Sequence, residues 1–172
     1  MNAYTCSSCF FGLIFLFGCG NTSRSDFDTN LAACPQKPTP IFQTGMKGVS
    51  ATKFSLEATK SIENIRFSDS TTLEIIQMGC AHVHQEFRFE LTERLPLDDA
   101  AAVGELAAQK FTAIAQLDSR LAGLGSWAGM LREAKTQLKI GEAIALEPHH
   151  FLKVDGFAQN KNSLLIVSIY EE

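Results

Sequence analysis

The chain has 172 residues, 15 basic and 19 acidic side chains, a net charge of -4 and 45% apolar residues. That length supports one core and argues against a second independent domain. A mildly acidic surface without a basic tract argues against nucleic acid as a partner.

The first element in chain order is the short apolar block Phe10-Phe11-Gly12-Leu13-Ile14-Phe15-Leu16-Phe17-Gly18. It has the shape of a signal-peptide h-region. A membrane-spanning helix needs roughly 20 apolar residues, so this run predicts a cleaved signal over residues 1–18. At its end, Leu16-Phe17-Gly18-Cys19 resembles the lipobox of bacterial lipoproteins, in which Leu and two further residues, the second of them small, precede the cysteine. Phe17 is bulkier than the usual residue at its place, and no Lys or Arg precedes Arg24. The resemblance implies that Cys19 is acylated, opens the mature chain and holds the protein to a membrane. Diderm lipoproteins retained at the inner membrane commonly carry Asp after that cysteine. With Gly20 there instead, the resemblance implies the outer membrane of the cell envelope.

Cys6 and Cys9 leave with the signal and Cys19 takes the lipid, so Cys34 and Cys80 remain as an even pair. In an oxidising compartment such a pair reads as a disulfide. Residues 19–45 form a polar tether in which Pro35, Pro38 and Pro40 block helix and central strand alike, and the bridge would pin its second half to the body. Residues 46–172 then make one domain.

Strand character follows in Lys53–Glu57, Ile62–Phe67 and Thr71–Met78, with Ser68-Asp69-Ser70 as the clearest break. Ala81–Leu91 has the cleanest period of two: Ala81, Val83, Phe87, Phe89 and Leu91 face one way, interrupted by Gln85, and His82, His84, Glu86, Arg88 and Glu90 the other. Gly79 either bends one long strand or turns a hairpin. After Pro96 the period becomes helical, through Val103, Leu106, Ala107, Phe111, Ile114, Leu117 and Leu121, with Asp98 as N-cap. A second helix runs from Ser126 as N-cap through Trp127, Met130, Leu131, Ala134 and Leu138 to Gly141 as stop, and the short link predicts antiparallel neighbours. A hairpin of His150–Phe157 and Leu164–Tyr170 closes the chain. The expected fold is α+β: a largely antiparallel sheet of about six strands, order β-β-β-β-α-α-β-β, with the helical pair packed on it.

Cys80, His82 and His84 stand at two-residue steps, which on a strand puts all three on one face. Thiolate and imidazole together suit copper or zinc, and His149 and His150 would complete a site if their strand were a neighbour. The same Cys80 cannot serve both a metal and a disulfide. Ser50-Ala51-Thr52-Lys53 fits S-x-x-K but borders a strand and lacks the S-D-N and K-T-G partners of acyl-transfer enzymes. Gly123-Leu124-Gly125-Ser126-Trp127-Ala128-Gly129 follows a helix and has the wrong spacing for a dinucleotide loop. No catalytic residue is assigned.

The expected function is that of an exported, lipid-anchored envelope protein that binds another envelope protein without catalysis, as an inhibitor, an immunity-type protein or an accessory subunit. His82, His84, Glu86 and Arg88 are its expected contacts, on a sheet face or edge. The alternative is a periplasmic metal-binding protein using the His82/His84 strand face.

Overall fold

The computed structural model describes residues 30–35, 37–80, 84–159 and 162–171. The signal, Cys19, the first part of the tether, Ala81, His82 and Val83 lie outside them. Seven strands form one sheet: β1 (Val49–Leu56), β2 (Lys60–Phe67), β3 (Thr72–Met78), β4 (His84–Leu91), β5 (Ala143–Glu147), β6 (His150–Gln159) and β7 (Asn162–Glu171). Their order across the sheet is β1-β2-β3-β4-β7-β6-β5, and every pairing is antiparallel. Two helices, α1 (Ala100–Ala115) and α2 (Leu124–Ala134), separate β4 from β5. The fold is α+β with a largely antiparallel sheet, one strand wider than the sequence pattern suggests.

The added strand is β5. It is five residues long and confined between Gly141 and Pro148, with only Ile144 and Leu146 turned toward the interior, too short a run to declare a period. Gly79 turns a hairpin: with φ +84° it follows β3, and Met78 then pairs with His84. A left-handed turn residue is where glycine carries no Cβ penalty.

Each strand places alternate residues on one side, and there the core collects. Ile65, Phe67, Leu73, Ile75, Phe87, Phe89, Leu91, Leu152, Val154, Leu165 and Val167 are all buried on that side. The helices cover it with Val103, Ala107, Phe111, Ile114, Ala128 and Leu131. The Phe111 ring meets Phe87 and Phe89 edge-on, with centroids 5.0 and 5.8 Å away. The helices are antiparallel, as their contacts require. Arg132 near the end of α2 reaches Glu105 near the start of α1, and the start of α2 at Gly125 lies against Ala115 at the end of α1.

The helix caps differ from the sequence reading. Asp99, not Asp98, caps α1, its carboxylate accepting from the Ala102 N–H at 3.0 Å. Ser126 lies inside α2, which begins at Leu124 behind Gly123 with no side-chain cap, and α2 ends at Ala134, well short of Gly141. Leu138 stays buried without being helical.

The helices leave the β1-β2-β3 half of this face to the segment from Asn30 to Met46, a strap that composition alone reads as tether. Leu31, Phe42 and Met46 are buried, and Phe42 meets Phe67 edge-on at 5.8 Å. The Leu31 N–H donates to Ala58 O, and the Gln77 side-chain amide donates to Thr39 O. Glu63 is fully buried in β2, and its two carboxylate oxygens accept from the Ile41 and Phe42 N–H groups, each at 2.8 Å. Burial pushes the Glu63 carboxyl above its ordinary range, and the two N–H donors oppose that only in part. At the far end of the strap Cys34 is bonded to Cys80 beside the β3-β4 turn, with Cα atoms 5.4 Å apart.

Candidate functional site

The opposite face of the sheet carries no described helix or strand. Its side chains form rows across the strands, fixed by the pairing registers. The row nearest the β3-β4 turn runs Lys60, Met78, His84, Tyr170, Phe151 and Ala145. The next runs Ser55, Ile62, Ile76, Glu86, Ser168, Lys153 and Ala143. The third runs Lys53, Asn64, Glu74, Arg88, Ile166 and Asp155, and the fourth Ala51, Arg66, Thr72, Glu90, Leu164 and Phe157.

The first row is aromatic at its centre. The His84 ring stacks on Tyr170 at 5.3 Å and Tyr170 on Phe151 at 5.5 Å, with interplanar angles of 15° and 18°. Near-parallel, offset stacking of this kind is a favoured arrangement of aromatic rings. Burial is the main influence on His84 and lowers its pKa, against the smaller opposing field of Glu86.

The middle of the face is an ion network. Arg88 binds Glu86 through Nε and Glu74 through a terminal nitrogen at 3.0 Å. Burial by itself would lower Arg88, but the hydrogen bonds and charges of Glu86 and Glu74 outweigh it and hold the guanidinium above its usual range. Glu90 accepts from the Thr72 hydroxyl at 2.6 Å. Each acid of this patch therefore has a partner already. Beside it, a depression of about 580 Å³ opens over β1 to β4, with Lys53, Asn64 and Arg66 on its floor.

The structure thus brings together three of the four expected contacts: His84, Glu86 and Arg88 share this face, and His82 lies outside the described residues. It separates the residues of the metal alternative. Cys80 is in the disulfide, β7 lies between β4 and β6, and His150 alternates with Leu152 and Val154 on the helix side, opposite to His84. His150 faces Glu171 there, Nε2 to Oε1 at 3.0 Å, and His149 occupies the β5-β6 turn at φ +71°. Among the described residues no group of three His, Cys, Asp or Glu side chains converges on one point. Ser50 of the S-x-x-K fragment lies in β1 and donates to Arg66 O at 2.9 Å.

Lys53, Asn64, Arg66, Glu74, Tyr170 and Phe151 are among the residues of the face that sequence reasoning missed. Each obeys its own strand's alternation, but what joins them is cross-strand register, which no single strand contains.

No known protein family matches the chain, and no curated protein or solved structure matches it either.

Proposed function

We propose that this chain is an exported lipoprotein of the cell envelope, anchored through Cys19, that binds another envelope protein with the open face of its sheet. The observation that carries the reading is the asymmetry of that sheet. One side is closed by two helices and a stapled strap. The other holds partly buried apolar and aromatic side chains around an ion network, with no described element over it. A mixed patch with aromatics and an arginine at its centre has the composition of a protein-binding surface. The role is that of an inhibitor, an immunity-type protein or an accessory subunit, and the chemistry is recognition without bond-making.

On this reading the anchor at Cys19 stands 11 residues ahead of Asn30, and a fully extended chain of that length would reach at most about 40 Å. The partner would then work close to a membrane, the outer one being favoured by Gly20. Two experiments test the reading. Cys19→Ala abolishes fatty-acid incorporation and membrane association, and retention of both would refute the anchor. A photo-crosslinking residue at Ile166 on the open face captures one discrete protein in cells, whereas the same residue at Arg132 on the helix side captures none; equal labelling at both sites removes the binding face.

A further inference from the structure

The two edges of the sheet are not equivalent. β5 is five residues long and shares a cleft with Met130, Glu133 and Ala134 of α2. β1 is eight residues long, and among the described residues the backbone bonds of its stretch from Ala51 to Leu56 run to β2 alone. Along such an edge every second residue turns its N–H and C=O outward, a template for one more strand. A lysine on an edge strand commonly serves to repel stray strands. A single cation of this kind would repel a basic strand, leave a neutral one uncompensated and favour an acidic one.

The cations beside this edge are also unspent. Lys53 lies directly opposite Asn64, and Arg66 follows Asn64 on the same face of β2, opposite Ala51. Among the described residues no acidic side chain pairs with Lys53 or Arg66. The glutamates across the depression are held by Arg88 and Thr72. In a chain of net charge -4, two adjacent unpaired cations run against the average charge. A segment added to β1 would set alternate side chains over this floor, within cross-strand reach of Lys53.

We propose that β1 receives an extended acidic segment of the protein partner as an eighth strand, its carboxylates seated over Lys53 and Arg66. This deepens the reading of the open face as a protein-binding surface and rests on it. The backbone of the edge supplies the affinity and the two cations the choice of sequence.

The mature full-length chain in detergent is titrated with eight-residue peptides that alternate Val with Glu, Gln or Lys. The Glu peptide is expected to bind at least tenfold more tightly than the Gln peptide, and the Lys peptide not at all. Lys53→Glu combined with Arg66→Glu brings the Glu peptide down to the Gln level. Both side chains leave the sheet toward solvent, and an unchanged thermal transition confirms the fold; the milder Lys53→Gln, with a partial loss, serves if it shifts. Amide hydrogen exchange with the Glu peptide bound slows in β1 and not in β5. Equal binding of Glu and Gln peptides, or protection confined to β5, overturns the proposal. Photo-crosslinks at Ile166 with none at Ser55 on β1 overturn it while leaving the wider reading intact, and crosslinks at neither site remove both.

Discussion

Strands β4 and β7 run side by side through the middle of the sheet, and their two faces meet opposite fates. Phe87, Phe89, Leu165 and Val167 are at most 1% exposed and belong to the core that the helices cover. The residues alternating with them, Glu86, Arg88, Ile166 and Ser168, look outward with no described element above. Backbone hydrogen bonds along these strands serve both sets equally, so the difference lies in what each face excludes from water. The helix side gains stability from burial, roughly 25 cal/mol for each Å² of apolar surface removed from water. The open side gains less, because apart from Ile76, which is 5% exposed, its centre is made of ion pairs that stay partly solvated, and exposed pairs contribute near zero to 1 kcal/mol each. A surface contributing little to folding is free to be shaped by another requirement.

The sharpest way to break the comparison is to cut into the covered side. Phe111→Ala removes a ring that touches Phe87 and Phe89 under full burial, and should cost about 4–5 kcal/mol in urea denaturation. A loss below about 1 kcal/mol would mean that the helices are not the cover of this core.

The bridge comes next. Cys34 and Cys80 are 46 residues apart, and closing a loop of that length restricts the unfolded chain by about 4 kcal/mol in the chain-entropy model. Reduction, or Cys34→Ser with Cys80→Ser, should lower stability by that order and first expose the strap, which limited proteolysis between Asn30 and Met46 would detect. A transition unchanged by reductant contradicts the stapled strap.

Glu63 sharpens the same side by pH. Glu63→Ala strands the Ile41 and Phe42 N–H groups and should cost about 2–3 kcal/mol. Because burial raises the folded pKa of Glu63, the folded state binds this proton more readily than the unfolded chain. Its contribution to stability is therefore greatest at low pH and falls as pH rises from the unfolded value toward the folded one. Glu63→Gln lacks that titration, so the stability of the natural chain minus that of the variant should grow as pH drops from neutrality toward the ordinary carboxylate range. A difference that shrinks reverses the sign and refutes the desolvated carboxylate.

How much of this was legible beforehand follows the same division. The alternation of Phe87, Phe89 and Leu91 announced a strand with one buried face, because apolar periodicity is a local signal. Phe42 and Leu31 sit in a Pro-rich polar stretch whose composition says tether, and only their contacts with Phe67 and Ala58 draw them into the body. Of the neighbours Asp98 and Asp99, it is Asp99, extended at φ -125° directly before the helix, whose carboxylate takes the cap, and composition does not distinguish the two. On the open face, the stretch from His84 to Arg88 was visible within one strand. The pairing of Lys53 with Asn64, and of Glu74 with Arg88, depends on registers between segments, which composition does not carry.

The smallest expected effect on folding separates the two faces most cleanly. Arg88→Ala removes the centre of the ion network; Arg88 and Glu74 keep roughly a third of their side-chain surface in water and Glu86 keeps 16%, so stability should fall by about 1–2 kcal/mol, well short of the loss at Phe111. On the proposed reading the same change removes an arginine from the middle of an interface, and capture of the partner at Ile166 should drop at least tenfold, a loss of the order seen for interface arginines. The converse outcome, a large loss of stability with capture intact, would make Arg88 a strut of the sheet rather than a contact. Stability and capture move together for Phe111 on either account, because an unfolded chain binds nothing. They are expected to part at Arg88, where the side chain can be removed without opening the core beneath it.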